Sequence, residues 1–321
     1  MDKDVLSKYD EMLFTPGHRA CPGCGASIAV RAILAATGPD VIVVSPTGCL
    51  ETFTAQYPYS PWGVPWLHVL FENAAAVASG VEAALKKRGL ADKIKVIIIG
   101  GDGGTHDIGL GAISGMMERG HNVTYICYDN EAYMNTGVQR SSATPLGAST
   151  MTNPAGLKSW GKEQPKKNLP AIMLAHGIPY VATASIAFPK DLTRKVKQAL
   201  SIQGPKYIDV HSPCPIGWGF EAAQTIEIAK LAVQTGLVPL YEAYQDQPLK
   251  VRKLSKRVPV TEYLRPQKRF HHLFKGQDDQ IHLALIQAIA DENVARYGLE
   301  CKSQFGGSPG RSRNWYLPGQ G

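Results

Sequence analysis

The sequence lacks any apolar run of the ~18–20 residues that a membrane-spanning helix needs. Its first residues, MDKDVLSKYDEM, are charged and lack the apolar core of a secretory leader. These two absences argue against a membrane-spanning helix, and a location in the cytoplasm is expected. Thiols stay reduced there, so the six cysteines are not read as a disulfide framework. Internal repeats are missing, which sets aside solenoids and propellers. No nucleic-acid-binding motif accompanies the net charge of +7, so a nucleic-acid partner is not expected. Only one C-x-x-C is present, Cys21 and Cys24 in HRACPGCGAS, where a structural zinc site usually takes two.

What the chain does have is length and apolar content. Its 321 residues are 44% hydrophobic, ample for a large core. Glycine is plentiful, with 32 residues, so many close backbone approaches are available. Much of the positive excess lies in residues 250–275, KVRKLSKRVPVTEYLRPQKRFHHLFK. That stretch reads first as a solvated or subunit-facing extension, and second as a surface for an acidic partner.

Short β-branched runs at residues 41–45, 95–99, 123–128, 180–183 and 207–210 read as strands buried on both faces. Residues 26–36, 72–87, 110–119 and 189–200 between them read as helices. The alternation predicts an α/β fold, a parallel sheet with helices on both faces. Residues 52–66, rich in Pro, Tyr and Trp, and the polar residues 140–167 read as irregular. One further helix is expected near residues 280–297, followed by a Gly/Pro-rich tail suited to wrapping a partner chain. The division drawn from this is a cofactor-binding domain over residues 1–245 and a basic extension over 246–321.

Ligands of open parallel sheets bind at the carboxyl ends of the strands. PTGCLE, with Cys49, follows the first strand. GGDGGTHD, with Asp102, follows the second, and DNEAYMNTG, with Asn130, the third. HSPCPIG, with Cys214, follows the last. Four loops should therefore meet at one sheet edge, two bringing thiols and two bringing oxygens. Gly101, Asp102 and Gly103 are separated from Asn130 by 26 residues, 104 to 129. That spacing resembles the thiamine diphosphate motif. Glycines admit a diphosphate to the backbone, and the carboxylate and amide oxygens suit Mg²⁺. Cys21, Cys24, Cys49 and Cys214 could form one four-thiolate site. One pair plus two scattered ligands favours an iron–sulfur cluster over zinc. Cys127, inside a strand, reads as a small buried hydrophobe, and Cys301 has no partner to name.

Taken together, ACPGCG, TGCLE, FENAAAVASG, GGDGGTHDIG, YDNEAYMNTGVQRSS and PCPIGW resemble the β subunits of the pyruvate:ferredoxin oxidoreductase family, over residues 14–220. The resemblance implies a [4Fe–4S] cluster on Cys21, Cys24, Cys49 and Cys214. It implies Asp102, Asn130 and the carbonyl of Ala132 at Mg²⁺, Gly101, Gly103 and Gly104 at the diphosphate, and Asn135 beside cofactor and substrate. Cys49 would also touch the cofactor. The implied reaction is oxidative decarboxylation of pyruvate with coenzyme A, or its reverse, with electrons passing through the cluster to ferredoxin. An α subunit would supply the Glu that activates thiamine, with γ- and δ-type subunits completing the complex. Glu51 and Glu72 are the in-chain candidates for that Glu, and Glu72 reads better as helix-start or interface structure. A sister enzyme for branched 2-oxoacids or oxalate is the nearest alternative. A zinc-stapled, non-catalytic α/β interaction subunit is the alternative of another class.

Overall fold

The computed structural model describes residues 12–276 and 279–300, so Cys301 and the Gly/Pro-rich tail lie outside the described residues. The elements in chain order begin with α1 (Gly25–Thr37), β1 (Val41–Pro46), α2 (Cys49–Thr54), β2 (Trp66–Val69) and α3 (Ala74–Lys87). Then come β3 (Lys95–Gly101), a π-helical turn (Gly103–Ile108), α4 (Leu110–Glu118) and β4 (Val123–Asp129). A small hairpin follows, β5 (Ala155–Gly156) with β6 (Ser159–Trp160), and then α5 (Leu169–Ala175), β7 (Tyr180–Ser185), α6 (Pro189–Ser201) and β8 (Lys206–His211). The chain ends in α7 (Pro215–Trp218), α8 (Thr225–Gln234), β9 (Tyr241–Tyr244), β10 (Lys250–Val251), α9 (Val260–Leu264), a 3₁₀ segment (Lys268–Phe274) and α10 (Asp279–Tyr297).

Eight strands form one sheet in the order β10-β9-β7-β8-β4-β3-β1-β2. The six from β7 to β2 are parallel, and β9 and β10 add an antiparallel edge. The five strands expected from sequence are β1, β3, β4, β7 and β8. β2 begins at Trp66, the last residue of the stretch read as irregular, and β9 and β10 were not expected. All seven residues of β4, VTYICYD, are buried, as befits a central strand of β-branched and aromatic side chains. Successive residues face opposite layers. Ile97 and Ile99 join the core that includes Ile33 of α1 and Val196 of α6. Ile98 joins the core that includes Ala78 of α3, Met116 of α4 and Leu169 of α5.

The connections place the site. From β1 the chain moves outward to β2, and from β3 it moves the other way to β4. The loops after β1 and β3 therefore part, and the crevice between them is where ligands of such sheets bind. Residues 250–275 do not stand apart as a solvated arm. β10 joins the sheet, and Tyr263, Leu264, Phe270 and Leu273 share a core with Trp218 and with Leu283, Ile286 and Ala290 of α10. Arg257 pairs with Glu300 at 2.8 Å and with Asp291. Among the described residues, no helix is long and apolar enough to cross a membrane.

Candidate functional site

A cleft opens at the β1–β3 switch point. Thr47, Gly48 and Cys49 line it from one side, Gly101–Gly104 from another, and Asn130, Ala132 and Asn135 from the third. Every residue that the motif spacing and the resemblance nominate outside Cys21, Cys24 and Cys214 thus reaches one cleft.

Local sequence explains the shape. Beyond β3 the chain enters the π-helical turn at once, with Gly109 N–H donating to the carbonyl of Gly104 at 3.0 Å. Glycine is required at 103, because a Cβ there would lie 2.5 Å from the ring of Tyr133. The amides of 103 and 104 are left at the helix start, the end of a helix that favours phosphate. The carboxylate of Asp102 is almost wholly buried and accepts a 2.5 Å hydrogen bond from Ser141 Oγ. Burial, and then the neighbouring Asp129, hold its carboxyl well above the usual carboxylate range.

The amide of Asn130 supplies a test of fit for a cation. One end of it lies 2.9 Å from Asp102 Oδ1 and 3.0 Å from the main-chain oxygen of Ala132. With nitrogen turned toward them it donates to both. With oxygen turned toward them three oxygens meet, an arrangement that a hard cation stabilises. The residues present fit Mg²⁺. Asn135, on the following turn, is held from the other side by Thr52, its Nδ2 donating to Thr52 Oγ1 at 3.0 Å.

The four thiols gather beside this cleft. Cys49 opens α2 at the cleft wall, and Cys214 precedes α7, with Gly217 N–H donating to its Sγ at 3.3 Å. Cys21 and Cys24 are brought to the Cys214 loop by Gly25, whose N–H donates to the carbonyl of Pro213 at 3.2 Å. A Cβ at Gly25 would lie 2.5 Å from that carbonyl, so the contact needs glycine. None of these cysteines is in a disulfide. Burial pushes the Cys49 thiol far up, and Cys214, Cys24 and Cys21 push it further. Burial likewise raises Cys214 to about 11, with Cys24 and Cys21 adding to the rise. The thiols thus act on one another, and Cys24, Cys49 and Cys214 resist ionising without a positive partner.

Sequence reasoning missed the charged network behind Asn130. Glu131 sits between two proposed cation ligands with φ of 68°, a backbone region uncommon for residues other than glycine. Its carboxylate pairs with Lys166 at 2.9 Å and Arg269 at 2.7 Å, and Lys166 also pairs with Asp129. Burial alone would lift the Glu131 carboxyl. Lys166 and Arg269 reverse that and hold it below the usual range. His211 is buried beside them, and burial brings it to about 4, so it is neutral at pH 7. The acidic residues flanking Asn130 in DNE were the available signal, since a buried carboxylate needs a cationic partner. Nothing local pointed to Lys166 or Arg269. Cys127 is fully buried in β4, beside His106 and Asp209, which suits its reading as a small core residue. Glu72 is exposed just before α3, and Glu51 is half-buried in α2.

Known proteins share these features. Residues 46–210 match the family model described as thiamine pyrophosphate enzyme, C-terminal TPP binding domain. The chain is similar to pyruvate synthase subunit PorB of Methanosarcina barkeri, 58% identical over 89% of this chain and 97% of that one. It is also similar to ketoisovalerate oxidoreductase subunit VorB of Pyrococcus furiosus, 47% identical over 85% of this chain and 89% of that one. Among solved structures, 2-oxoglutarate:ferredoxin oxidoreductase from Magnetococcus marinus, with 2-oxoglutarate, coenzyme A and succinyl-CoA bound, superposes with a TM-score of 0.54 at 29% identity. That match covers 64% of this chain and 67% of that one.

Proposed function

The chain belongs to the PorB family of pyruvate synthase subunits, and on that premise we propose how its residues divide the work of a 2-oxoacid:ferredoxin oxidoreductase β subunit. The enzyme is a multi-subunit complex that binds thiamine diphosphate. The name pyruvate synthase of the M. barkeri relative supports pyruvate as the substrate, and the ketoisovalerate relative keeps branched 2-oxoacids as the second reading.

The observation that carries the proposal is the convergence of Asp102, Asn130 and the Ala132 carbonyl in one cleft that Cys49 also lines. Those three oxygens hold Mg²⁺, and the glycines from Gly101 to Gly104 admit the diphosphate. Ser141 fixes the carboxylate of Asp102 in one orientation. Asn135, fixed by Thr52, faces the cofactor and substrate side of the cleft. Bound thiamine diphosphate supplies the electron sink for decarboxylation.

Cys21, Cys24, Cys49 and Cys214 hold a [4Fe–4S] cluster next to the cofactor, where an electron can leave it toward ferredoxin. One C-x-x-C pair joined by two single cysteines from separate loops supports a cluster, whose thiolates sit on different irons, over a zinc site, which usually takes two such pairs. Coenzyme A, bound in the solved 2-oxoglutarate enzyme, accepts the acyl group. The Glu that activates thiamine comes from an α subunit, and γ- and δ-type subunits carry electrons onward. In this reading residues 1–245 form the cofactor domain, and residues 246–321 a basic extension that meets other subunits, its described part sharing a core with Trp218.

Anaerobic metal analysis of the purified complex, with a 2-oxoacid panel, tests this. About four irons on this chain and fastest turnover with pyruvate are expected. Stoichiometric zinc on these cysteines would end the cluster assignment, and faster turnover of 2-oxoisovalerate would reassign the substrate.

A further inference from the structure

Three residues outside the proposed ligand set meet on the main chain that carries it. The indole of Trp218 donates from Nε1 to the main-chain oxygen of Asn130 at 2.8 Å. Trp218 ends the helical turn that starts at Cys214, and its own N–H donates to the Cys214 carbonyl at 2.9 Å. The guanidinium of Arg269 lies over the Trp218 ring, 3.6 Å from its centroid. The same guanidinium pairs with Glu131 at 2.7 Å, and its Nε donates to Gln267 at 2.9 Å. The side chains of Trp218, Arg269 and Glu131 are all buried. Arg269 comes from the basic extension, 138 residues beyond Glu131.

Glu131 and Asn130 are consecutive, and the oxygens proposed for Mg²⁺ belong to Asn130 and Ala132. The main chain there must hold a left-handed residue, Glu131 with φ of 68°, between two ligands, a conformation that persists only where the surroundings fix it. Trp218 fixes the carbonyl on one side of that residue, and Arg269 fixes its side chain. The ring also gives Arg269 a flat face that a lysine cannot use in the same way.

We infer that Trp218 and Arg269, acting through Asn130 and Glu131, are positioning residues for the cation end of the cofactor site. The C-terminal extension is therefore part of the cofactor-binding machinery of this subunit as well as a surface for others. The inference rests on the assignment of Asp102, Asn130 and Ala132 to Mg²⁺, and it adds residues that make no contact with the ion.

The test uses the assembled complex, stripped of thiamine diphosphate and Mg²⁺ under anaerobic conditions. The cofactor is titrated back by calorimetry over a range of Mg²⁺ concentrations. Iron content and the electron paramagnetic resonance spectrum of the reduced cluster are read on the same samples. Trp218→Phe keeps the ring and removes the N–H donor; Arg269→Lys keeps the charge and removes the planar fork. Each should raise the Mg²⁺ concentration for half-saturation about five- to tenfold, as the loss of one good hydrogen bond implies. Iron content and the cluster spectrum should be unchanged. Glu131→Gln, which retains shape and loses charge, should move in the same direction and carries the test if Trp218→Phe does not assemble.

Wild-type Mg²⁺ dependence in these variants, alongside lost binding in Asp102→Ala, overturns the inference and leaves the cofactor site intact. Loss of iron in all of them makes the residues general staples of the fold and overturns it too. Undiminished binding in Asp102→Ala removes the cofactor-site assignment itself, and the inference with it.

Discussion

Ser141 Oγ donates to Asp102 Oδ2 at 2.5 Å, while Asp102 Oδ1 faces the amide of Asn130 at 2.9 Å. The two oxygens of one carboxylate thus have separate partners. Ser141 belongs to the long polar segment after β4, so that segment acts as a brace for the carboxylate. A buried carboxylate fixed in one orientation loses little rotamer freedom when a cation arrives.

Asp102→Ala should empty the complex of thiamine diphosphate while its circular dichroism stays that of wild type. The diphosphate charge has no counter-ion once Mg²⁺ is gone. Ser141→Ala should keep the cofactor at saturating Mg²⁺ but need about ten- to a hundredfold more of the ion, the range for a hydrogen bond to a charged group. Cofactor content after gel filtration checks both. Full retention in Asp102→Ala would refute the Mg²⁺ assignment.

What sequence made legible here follows from locality. The buried strands announce themselves as short β-branched runs, and β1, β3, β4, β7 and β8 appear within about two residues of their expected ends. β2, WLHV, is a half-exposed edge strand without such a run, and at the other edge β9 runs antiparallel to β7 and β10 antiparallel to β9. The ligands at strand ends were legible because each loop directly follows its strand. Lys166 and Arg269 were not, because they reach Glu131 from 35 and 138 residues away. In sequence, Arg269 is one cation among many in a basic stretch; only the packing of the 3₁₀ segment against Trp218 turns it inward.

Lys206 at the start of β8 offers a pH test remote from the cleft. It is buried, its Nζ donates to Asn122 Oδ1 at 2.6 Å, and burial followed by Lys95 lowers it to about 7. In the unfolded chain the same amine titrates near ~10.4. Below about pH 7 both states carry the charge, and the folded state bears the cost of burying it. As pH rises from about 7 to ~10.4 the folded chain releases the proton first, so this group adds stability with rising pH. Lys206→Met should raise the melting temperature at pH 7 and flatten the rise toward pH 9. Melting curves of the complex at the two values decide it, and an unchanged difference between them would show that Lys206 is not the source.

The isolated chain should bind Mg²⁺ and thiamine diphosphate weakly and turn nothing over. On the proposed assignment the cleft takes the diphosphate end, and Glu72 stands exposed outside it. Assay with pyruvate, coenzyme A and ferredoxin should give no acetyl-CoA until an α subunit is added. Turnover by this chain alone would show that it holds the activating acid itself.

Cys214→Ser should separate electron transfer from cofactor binding. Serine is a poor ligand for iron in a cluster, so the cluster should be lost or its potential altered. Cys214 stands before α7, on a different loop from Asp102 and Asn130. Two ties join its loop to the chain around Asn130: Trp218, whose backbone donates to the Cys214 carbonyl and whose indole donates to the Asn130 carbonyl, and Ser212, whose N–H donates to the Asp129 carbonyl at 2.8 Å. The Cys214→Ser change leaves both ties, so Mg²⁺ and thiamine diphosphate should still bind. The assembled variant should therefore release CO₂ from the 2-oxoacid at a measurable rate and reduce ferredoxin little or not at all. With no acceptor for the electrons, the remaining carbon fragment should leave as aldehyde. Cofactor content measured on the same sample separates this outcome from collapse of the site. A variant that binds thiamine diphosphate normally and still reduces ferredoxin at the wild-type rate would show that Cys214 lies off the electron path, and the four-cysteine assignment would fall.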